Sequence, residues 1–286
     1  MIVVADMGST KTDWSFVDET KKVFTVNTKG FNPYFYTTEE IVELLKPVFS
    51  QESFDWNAIT NVYFYGAGCS SKDKQHIVRE ALQPFFPKAD LFISHDLLAS
   101  ARAICGKNKG IACILGTGAN TCLYDGENVV ANNPSLGFLL GDEGSGGDLG
   151  RELIKYYQYG ELPKEIEDKF EAQYKMNRQK LLDEVYSTKH PNAYCAAYST
   201  FVNENKSNPV IKQMIEERME EFFKRHVTKY EGHQNIPIHF VGSIAHYFEE
   251  NLKTVAQKFG CSVAVSYTHL RAHETGRNLV CRLLLE

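Results

Sequence analysis

Short apolar runs separated by polar turns open the chain and predict three antiparallel strands, at residues 2–7, 13–18 and 22–28. Runs of this length that are bounded by turn residues are typical of strands. Helical spacing of apolar residues then alternates with single short runs, which predicts helices at 38–49, 72–82 and 96–104 and strands at 62–65 and 91–94. Thr38 is the predicted N-cap of the first helix. Three strands followed by helices that alternate with strands favour an α/β fold with mixed sheets.

The opening pattern returns after residue 110, with strands predicted at 111–115, 121–125 and 128–131. Apolar residues recur at helical spacing through most of residues 146–230. The longest predicted helix, 209–230, has one apolar face that contains Ile211, Ile215, Met219, Phe222 and Phe223. A strand at 237–241 and a helix from 242 to 259 follow. The repeat predicts two domains, residues 1–109 and 110–264, the second with a helical insertion.

In each domain, the first two strands enclose a turn of glycine and hydroxyl residues. The first turn consists of Gly8, Ser9, Thr10, Lys11 and Thr12, and the second of Gly116, Thr117 and Gly118. Glycine permits the turn, and backbone N–H groups, hydroxyls and an ammonium group can hold a phosphate in a concave nest. Asp6, at the end of the first strand, can hold a hydrated Mg²⁺ ion. A plain hairpin with a polar turn, and a solvated Lys11, are the alternatives.

Three motifs in this order carry a resemblance to a known group of proteins. They are Asp-Met-Gly-Ser-Thr-Lys-Thr-Asp-Trp at 6–14, Leu-Gly-Thr-Gly-Ala-Asn at 115–120 and Leu-Gly-Asp-Glu-Gly-Ser-Gly at 140–146. Together they resemble the sugar kinase/Hsp70/actin superfamily, and within it the N-acetylglucosamine kinase-like group, which includes the BadF/BadG/BcrA/BcrD ATPases. The resemblance covers residues 1–264. It implies two ribonuclease H-like (actin-like ATPase) domains around an interdomain cleft that binds ATP with Mg²⁺.

The resemblance also implies that Asp96 is the general base that takes the proton from the acceptor hydroxyl. Asp96 follows an apolar strand and begins a helix, so its carboxylate would project from a rigid junction. The alternative interpretation is that Asp96 is a helix N-cap, a frequent use of aspartate. His95 is interpreted as a packing or hydrogen-bonding neighbour of this carboxylate.

Six further residues match family positions that contact the sugar or the adenosine. The sugar-binding positions are Asn32, Asn120, Asp142 and Glu143, and the adenosine-binding positions are Gly242 and Ser243. An amide both donates and accepts hydrogen bonds, as hydroxyl recognition requires. Three alternatives remain: Asn32 as an ordinary turn residue, the glycine-dense stretch 137–147 as a plain helix entry, and Gly242 as a tight turn.

Composition narrows the class of protein. Hydrophobic residues make up 43% of the 286 residues, and the formal net charge of −5 argues against nucleic-acid binding, which usually requires a basic excess. Seven cysteines without a CxxC pair indicate a reducing compartment, the cytoplasm. We also expect neither a signal peptide nor a membrane-spanning run, because no basic region precedes an apolar stretch and no apolar run is long enough.

The last stretch of the chain does not continue the pattern. Residues 266–282 resemble translated sequencing-adapter sequence, whereas the family is expected to continue with a strand and a final helix that packs on the first domain. We therefore interpret residues 265–286 as a non-native tail and exclude them from functional reasoning. A genuine but divergent C-terminus is the alternative.

These observations predict a homodimeric enzyme that uses ATP to phosphorylate an amino sugar, N-acetylglucosamine or a relative such as N-acetylmuramic acid. One alternative is an ATPase that activates a partner enzyme, like the BadF/BcrA activators, which hold an iron–sulfur cluster between two subunits through cysteines. No pair of cysteines here has an evident cluster spacing. A sugar-sensing protein without enzymatic activity is the other alternative, although no helix-turn-helix segment for DNA binding is apparent.

Overall fold

The computed structural model of this chain describes residues 1–7, 11–18, 20, 23–50, 56–188 and 191–267. Contacts divide the described residues into two units, Met1–Lys107 and 108–267. Each unit is built on its own five-stranded mixed sheet with helices, as the sequence predicts. No helix in the described ranges is both long enough and apolar enough to cross a membrane.

The first unit contains the sheet β3-β2-β1-β4-β5, in which β1, β2 and β3 pair antiparallel and β1, β4 and β5 pair parallel. Its strands are β1 (Ile2–Met7), β2 (Lys11–Val17), β3 (Val23–Lys29), β4 (Asn61–Gly66) and β5 (Asp90–His95). Its helices are α1 (Thr38–Phe49), α2 (Lys72–Leu82) and α3 (Asp96–Cys105).

Alternate residues of β1 and β2 bury one face of this sheet. Trp14 and Phe16 of β2 are fully buried, and the Trp14 ring packs edge-on against Phe49 of α1, with ring centroids 4.9 Å apart. Burial of large aromatic rings is among the strongest sources of core stability. The other face of β1 carries Asp6, so the packed core fixes the strand from which this carboxylate projects.

The N-cap of α1 is Thr37, so the prediction of Thr38 was wrong by one residue. The Thr37 hydroxyl accepts a hydrogen bond from the Glu40 N–H at 3.3 Å, and the Glu40 carboxylate accepts one from the Thr37 N–H at 2.8 Å. This reciprocal capping box requires Glu or Gln three residues after the cap. Thr37 meets that requirement and Thr38 does not, because Ile41 follows Thr38 at the same spacing.

The second unit contains the sheet β10-β9-β6-β7-β8. Its strands are β6 (Gly110–Leu115), β7 (Ala119–Tyr124), β8 (Val129–Ala131), β9 (Ile238–Val241) and β10 (Val263–Tyr267). Its helices are α4 (Gly137–Leu140), α5 (Gly146–Gln158), α6 (Lys164–Tyr174), α7 (Arg178–Ser187), α8 (Pro191–Ala197), α9 (Ser199–Glu204), α10 (Pro209–Arg225), α11 (Ser243–Tyr247) and α12 (Glu249–Lys258).

Helix α10 buries its predicted apolar face but ends at Arg225, five residues before the predicted end. At the next residue, His226, the side chain bonds Glu143 and the backbone carbonyl accepts a bond from the Asn133 amide at 2.6 Å. A short 3₁₀ turn, Val227–Lys229, follows, and the His226 carbonyl also accepts from the Lys229 N–H at 3.3 Å. The helix predicted from 242 to 259 is likewise two helices, α11 and α12, which meet at Phe248.

The segment interpreted as a non-native tail begins inside β10. Ser266 and Tyr267 pair with Phe240 and Val241 of β9 in parallel register. Residues 268–286 lie outside the described residues, so the interpretation of the tail stays a prediction.

Candidate functional site

The first predicted phosphate turn is described only in part. Gly8, Ser9 and Thr10 lie outside the described residues. Lys11 begins β2, and its ammonium group forms an ion pair with Asp13 at 2.7 Å. Thr12 is fully buried, and its hydroxyl donates to the Lys29 carbonyl at 3.4 Å. The ion pair holds the Lys11 ammonium beside β2, and a role for this residue in phosphate binding stays a prediction.

Three carboxylates of the first unit interact at the ends of β1, β2 and β5. Asp6 lies directly opposite Asp13 in the β1–β2 register. Burial is the largest cause, and together with the negative charges of Asp96 and Asp13 it raises the pKa of Asp6 to about 7. Asp13 is itself paired with Lys11 and accepts a hydrogen bond from the Asn27 amide. The result is a half-buried group of carboxylates in which burial and the neighbouring negative charges disfavour the ionised form of Asp6.

Asp96 is the first residue of α3, and the cap of this helix is His95. The His95 Nδ1 atom accepts a hydrogen bond from the Leu98 N–H at 3.2 Å, so the interpretation of Asp96 as the N-cap was wrong. The Asp96 carboxylate accepts from the neighbouring Leu97 N–H at 2.9 Å. Burial raises the pKa of Asp96, while the Leu97 N–H and His95 oppose the shift. Burial, together with the Asp96 charge, also raises the pKa of the Cys69 thiol to about 12.

The raised pKa of Asp6 predicts that Asp6→Asn stabilises the protein without nucleotide at pH 8. Since unfolded Asp6 ionises near pH 4 and folded Asp6 near pH 7, wild-type stability falls as pH rises between these values. The variant should gain about 4 kcal/mol at pH 8, a rise in Tm of about 8–15 °C, and almost nothing at pH 4. Thermal unfolding in EDTA at both pH values measures this difference.

A matched control for this prediction is Asp183→Asn, which changes an exposed aspartate of α7. Its Tm difference from the wild type should be the same at pH 4 and pH 8. An Asp6→Asn variant with no gain at pH 8 would show that the folded protein does not disfavour the ionised carboxylate of Asp6.

The second predicted phosphate turn joins β6 to β7 and has an ordered backbone. The carbonyls of Gly116 and Thr117 accept hydrogen bonds from the N–H groups of Gly146 and Gly147 at 2.8 and 3.0 Å. Among the described residues, the N–H groups of Thr117 and Gly118 have no acceptor. A Cβ atom added to Gly116 would meet no atom within 4 Å. The turn therefore offers two backbone donors beside open space, as a phosphate nest requires.

Asp142 lies against this turn in a left-handed backbone conformation, with φ of 58°. Its Oδ1 atom accepts hydrogen bonds from the Ala119 N–H at 3.2 Å and from the Ser135 hydroxyl at 2.9 Å. A Cβ atom at Gly118 would lie 2.9 Å from Oδ2, so only glycine fits at that position without a shift of the carboxylate. Oδ1 is thus engaged within the protein, whereas Oδ2 accepts no hydrogen bond from the described residues.

Glu143 is held by residues at the end of α10. Its Oε2 atom lies 3.0 Å from Nε2 of the buried His226, and its Oε1 atom lies 3.4 Å from Nε of Arg225. These contacts fix the direction of the Glu143 carboxylate. The sequence interpretation missed His226, because the two residues of this pair are 83 positions apart.

A partly buried ion pair holds two further backbone groups of the glycine-dense stretch 137–147. Asp148, in the first turn of α5, accepts from the Gly144 N–H at 3.0 Å and pairs with Arg151 at 2.6 Å. Arg151 also donates to the Phe138 carbonyl at 2.6 Å. The sequence interpretation missed both charged residues, although their i,i+3 spacing in a predicted helix was a usable signal.

In each of the two asparagines expected to contact a sugar, the side-chain oxygen accepts a hydrogen bond within the protein. The Asn32 oxygen accepts from the Tyr34 N–H at 3.0 Å, which confirms the interpretation of Asn32 as a turn residue. The Asn120 oxygen accepts from the Thr121 N–H at 2.9 Å and from the Asn132 amide at 3.1 Å. Within the described ranges, the amide nitrogens of Asn32 and Asn120 have no acceptor, and both remain able to donate to a ligand.

Gly242 ends β9 with φ of 116° and packs on the base of the second turn. A Cβ atom there would lie 2.2 Å from the Leu115 carbonyl oxygen. Only glycine allows this close approach, so the interpretation of Gly242 as a tight turn is confirmed. Ser243 begins α11 directly after it. Contacts of Gly242 and Ser243 with adenosine stay predictions.

A Mg²⁺ ion fits the carboxylates of the first unit only as a hydrated ion. In the part of the chain that the structure describes, no three His, Cys, Asp or Glu side chains are grouped closely enough to hold a metal ion. Mg²⁺ usually keeps several waters and takes one or two carboxylates. A cation beside Asp6 would favour its ionised form, which burial and the charges of Asp96 and Asp13 disfavour.

Comparison with protein-family models gives no match, and comparison with curated proteins gives none. Solved structures do match. A candidate N-acetylglucosamine kinase from Porphyromonas gingivalis is 34% identical, with a TM-score of 0.87 and 100% of both chains covered. One from Chromobacterium violaceum is 14% identical, with a TM-score of 0.69 and coverage of 97% of this chain and 98% of that chain.

A ROK family glucokinase from Streptomyces griseus, solved with glucose and AMPPNP, is 15% identical, with a TM-score of 0.55. The match covers 99% of this chain and 98% of that chain. At this identity the likeness shows the fold alone. Together with the first two structures, it confirms the predicted fold class.

Proposed function

Since this chain belongs to the N-acetylglucosamine kinase-like family of the sugar kinase/Hsp70/actin superfamily, we propose that it transfers the γ-phosphoryl group of ATP to an amino sugar. The acceptor is N-acetylglucosamine or a relative such as N-acetylmuramic acid, through its 6-hydroxyl. The observation that carries this proposal is the full-length likeness, at 34% identity, to the candidate kinase from Porphyromonas gingivalis. The protein acts in the cytoplasm as a homodimer.

Phosphoryl transfer requires mainly positioning and neutralisation of charge. In this proposal, the N–H groups of Thr117 and Gly118 donate to phosphate oxygens of ATP, and the open space beside Gly116 supports that role. The other phosphate contacts come from the first turn: Gly8, Ser9, Thr10, Lys11 and Thr12. Gly242 and Ser243 contact the adenosine.

Asp6 holds hydrated Mg²⁺ through water. When bound, the ion neutralises negative charge on the phosphates. Burial and the negative charges of Asp96 and Asp13 raise the pKa of Asp6, which supports this assignment because a cation nearby would stabilise the ionised carboxylate.

Asp96 accepts the proton of the acceptor hydroxyl as the hydroxyl oxygen bonds to the γ-phosphorus atom. The bond from that phosphorus atom to the bridging oxygen breaks, and ADP leaves. Because burial raises the pKa of Asp96, its carboxylate is a stronger base than an exposed one. Its position at the start of α3, with the capping role filled by His95, supports a catalytic role.

Four side chains contact the sugar in this proposal. The amide nitrogens of Asn32 and Asn120 donate to sugar oxygens, and Glu143 and the Oδ2 atom of Asp142 accept from sugar hydroxyls. The contacts of Glu143 with His226 and Arg225 support its part, since they hold the carboxylate in one direction. Fixed acceptors of this kind discriminate among hydroxyl arrangements.

An ADP-release assay across amino sugars, neutral hexoses and no acceptor tests the proposed function. We expect ADP release only with an acceptor, and fastest with an N-acetylated amino sugar. Equal release without an acceptor would instead indicate the partner-driving ATPase. That alternative requires cysteines at the surface to share a cluster, and the six cysteines that the structure describes are all buried.

A further inference from the structure

Residues 142–147, named the clamp segment, hold the β6–β7 turn through three hydrogen bonds. The Asp142 carboxylate accepts from the Ala119 N–H at 3.2 Å. The N–H groups of Gly146 and Gly147 donate to the carbonyls of Gly116 and Thr117. The clamp segment therefore binds the turn on its β7 side through a carboxylate and at its tip through the first N–H groups of α5.

These bonds determine where the two unpaired N–H groups point. The Gly116 carbonyl and the Thr117 N–H belong to one planar trans peptide, in which the two groups point in opposite directions. The Thr117 carbonyl and the Gly118 N–H are related in the same way. Because α5 holds both carbonyls, both N–H groups are directed away from α5.

Asp142 holds the peptide between Gly118 and Ala119, and its own carboxylate is also held in place. The residue is only 8% exposed, and the Ser135 hydroxyl donates to the same Oδ1 atom that accepts from Ala119. The carboxylate also lies against Gly118, where a Cβ atom would not fit. A buried acceptor with two donors and a close backbone neighbour has little freedom to turn.

We propose that Asp142 is a positioning residue for nucleotide binding, which holds the β6–β7 turn in the conformation that presents the Thr117 and Gly118 N–H groups to phosphate. This role is additional to its contact with the sugar. It rests on the proposed function only in that the turn binds a nucleotide, and it requires no particular acceptor. The clamp segment, which contains two of the proposed sugar-binding residues, is thereby connected to the β6–β7 turn that is proposed to bind phosphate.

The test is the affinity for AMPPNP with Mg²⁺, measured by calorimetry without any sugar. Asp142→Ala removes the acceptor for the Ala119 N–H and should weaken binding about tenfold. Asp142→Asn keeps an oxygen that can accept this bond and should bind within about threefold of wild type. Ser135→Ala leaves the Asp142 backbone unchanged and should weaken binding about threefold.

Lys175→Ala is the matched control for backbone strain. In the described ranges, Lys175 and Asp142 are the non-glycine residues with positive φ, and Lys175 is exposed at the end of α6. Lysine and alanine meet the same left-handed strain at this position. This variant should therefore keep a Tm near that of the wild type and bind AMPPNP like the wild type.

Two results would overturn the inference. If Asp142→Ala and Ser135→Ala bind AMPPNP like the wild type, Asp142 does not position the turn, even if the KM for the sugar rises. If Asp142→Asn weakens binding as much as Asp142→Ala, the charge matters and the hydrogen bond does not. Should Asp142→Ala fail to fold, Ser135→Ala decides alone, and wild-type affinity in that variant would overturn the inference. A wild-type protein that binds no AMPPNP would instead overturn the proposed function itself.

Discussion

Asp96→Asn should lower kcat by a factor of about 10²–10⁴, the usual contribution of a positioned general base. Asparagine keeps the shape of the side chain and an oxygen that can accept from the Leu97 N–H, but it cannot take a proton. Because His95 caps α3, the substitution leaves the cap in place, and the folded protein should persist. The increase in Tm caused by Mg·ATP should stay close to that of the wild type.

Asp90→Asn is the matched control, since Asp90 is an exposed aspartate at the other end of β5. It should keep wild-type kcat in the same assay. A different outcome would reassign the base: if Asp96→Asn keeps most of the activity and Asp142→Asn loses all of it, the roles of these two carboxylates are exchanged.

Gly116→Val should abolish the increase in Tm that Mg·ATP causes in the wild type. At 100 times Kd, a ligand stabilises a protein by about 2.7 kcal/mol, which corresponds to about 5–10 °C here. A Cβ atom at Gly116 would meet no atom within 4 Å, and the φ of this residue is not positive, so we expect the valine variant to fold. The valine instead fills the space beside the Thr117 and Gly118 N–H groups. Differential scanning fluorimetry measures both effects.

Gly116→Ala extends this test into a graded series. The smaller methyl group should reduce the Mg·ATP shift without removing it, while the Tm without ligand stays near that of the wild type for both variants. A Gly116→Val protein that keeps the full shift would mean that phosphate does not bind at the β6–β7 turn.

Local patterns in the sequence predicted most elements of both units. Helix α2 matches its predicted range, and both strand–turn–strand openings are present in the structure. The errors lie where distant residues decide. Helix α10 ends early because His226 is held by Glu143 and Asn133, and neither partner is near it in sequence.

The site was predictable as a set of residues but not as a set of contacts. Family motifs led to Asp96 and Asp142, yet no periodicity indicates that Asp142 accepts from the Ala119 N–H, 23 positions away. Likewise, the pKa of Asp6 depends on its burial and on the charges of Asp96 and Asp13, which the fold brings near it from the start of α3 and from β2. Hydrogen bonds and charge–charge interactions between distant elements form only when the chain is folded.

The most direct test of the central claim is the ³¹P NMR spectrum of a reaction that contains the protein, Mg·ATP and N-acetylglucosamine or N-acetylmuramic acid. Transfer to the sugar predicts a new phosphomonoester signal that grows in equal amount with ADP for one of these sugars, and that is nearly absent with Asp96→Asn. The contradicting result is ADP formed together with inorganic phosphate at the same rate with and without sugar, since the γ-phosphoryl group would then pass to water.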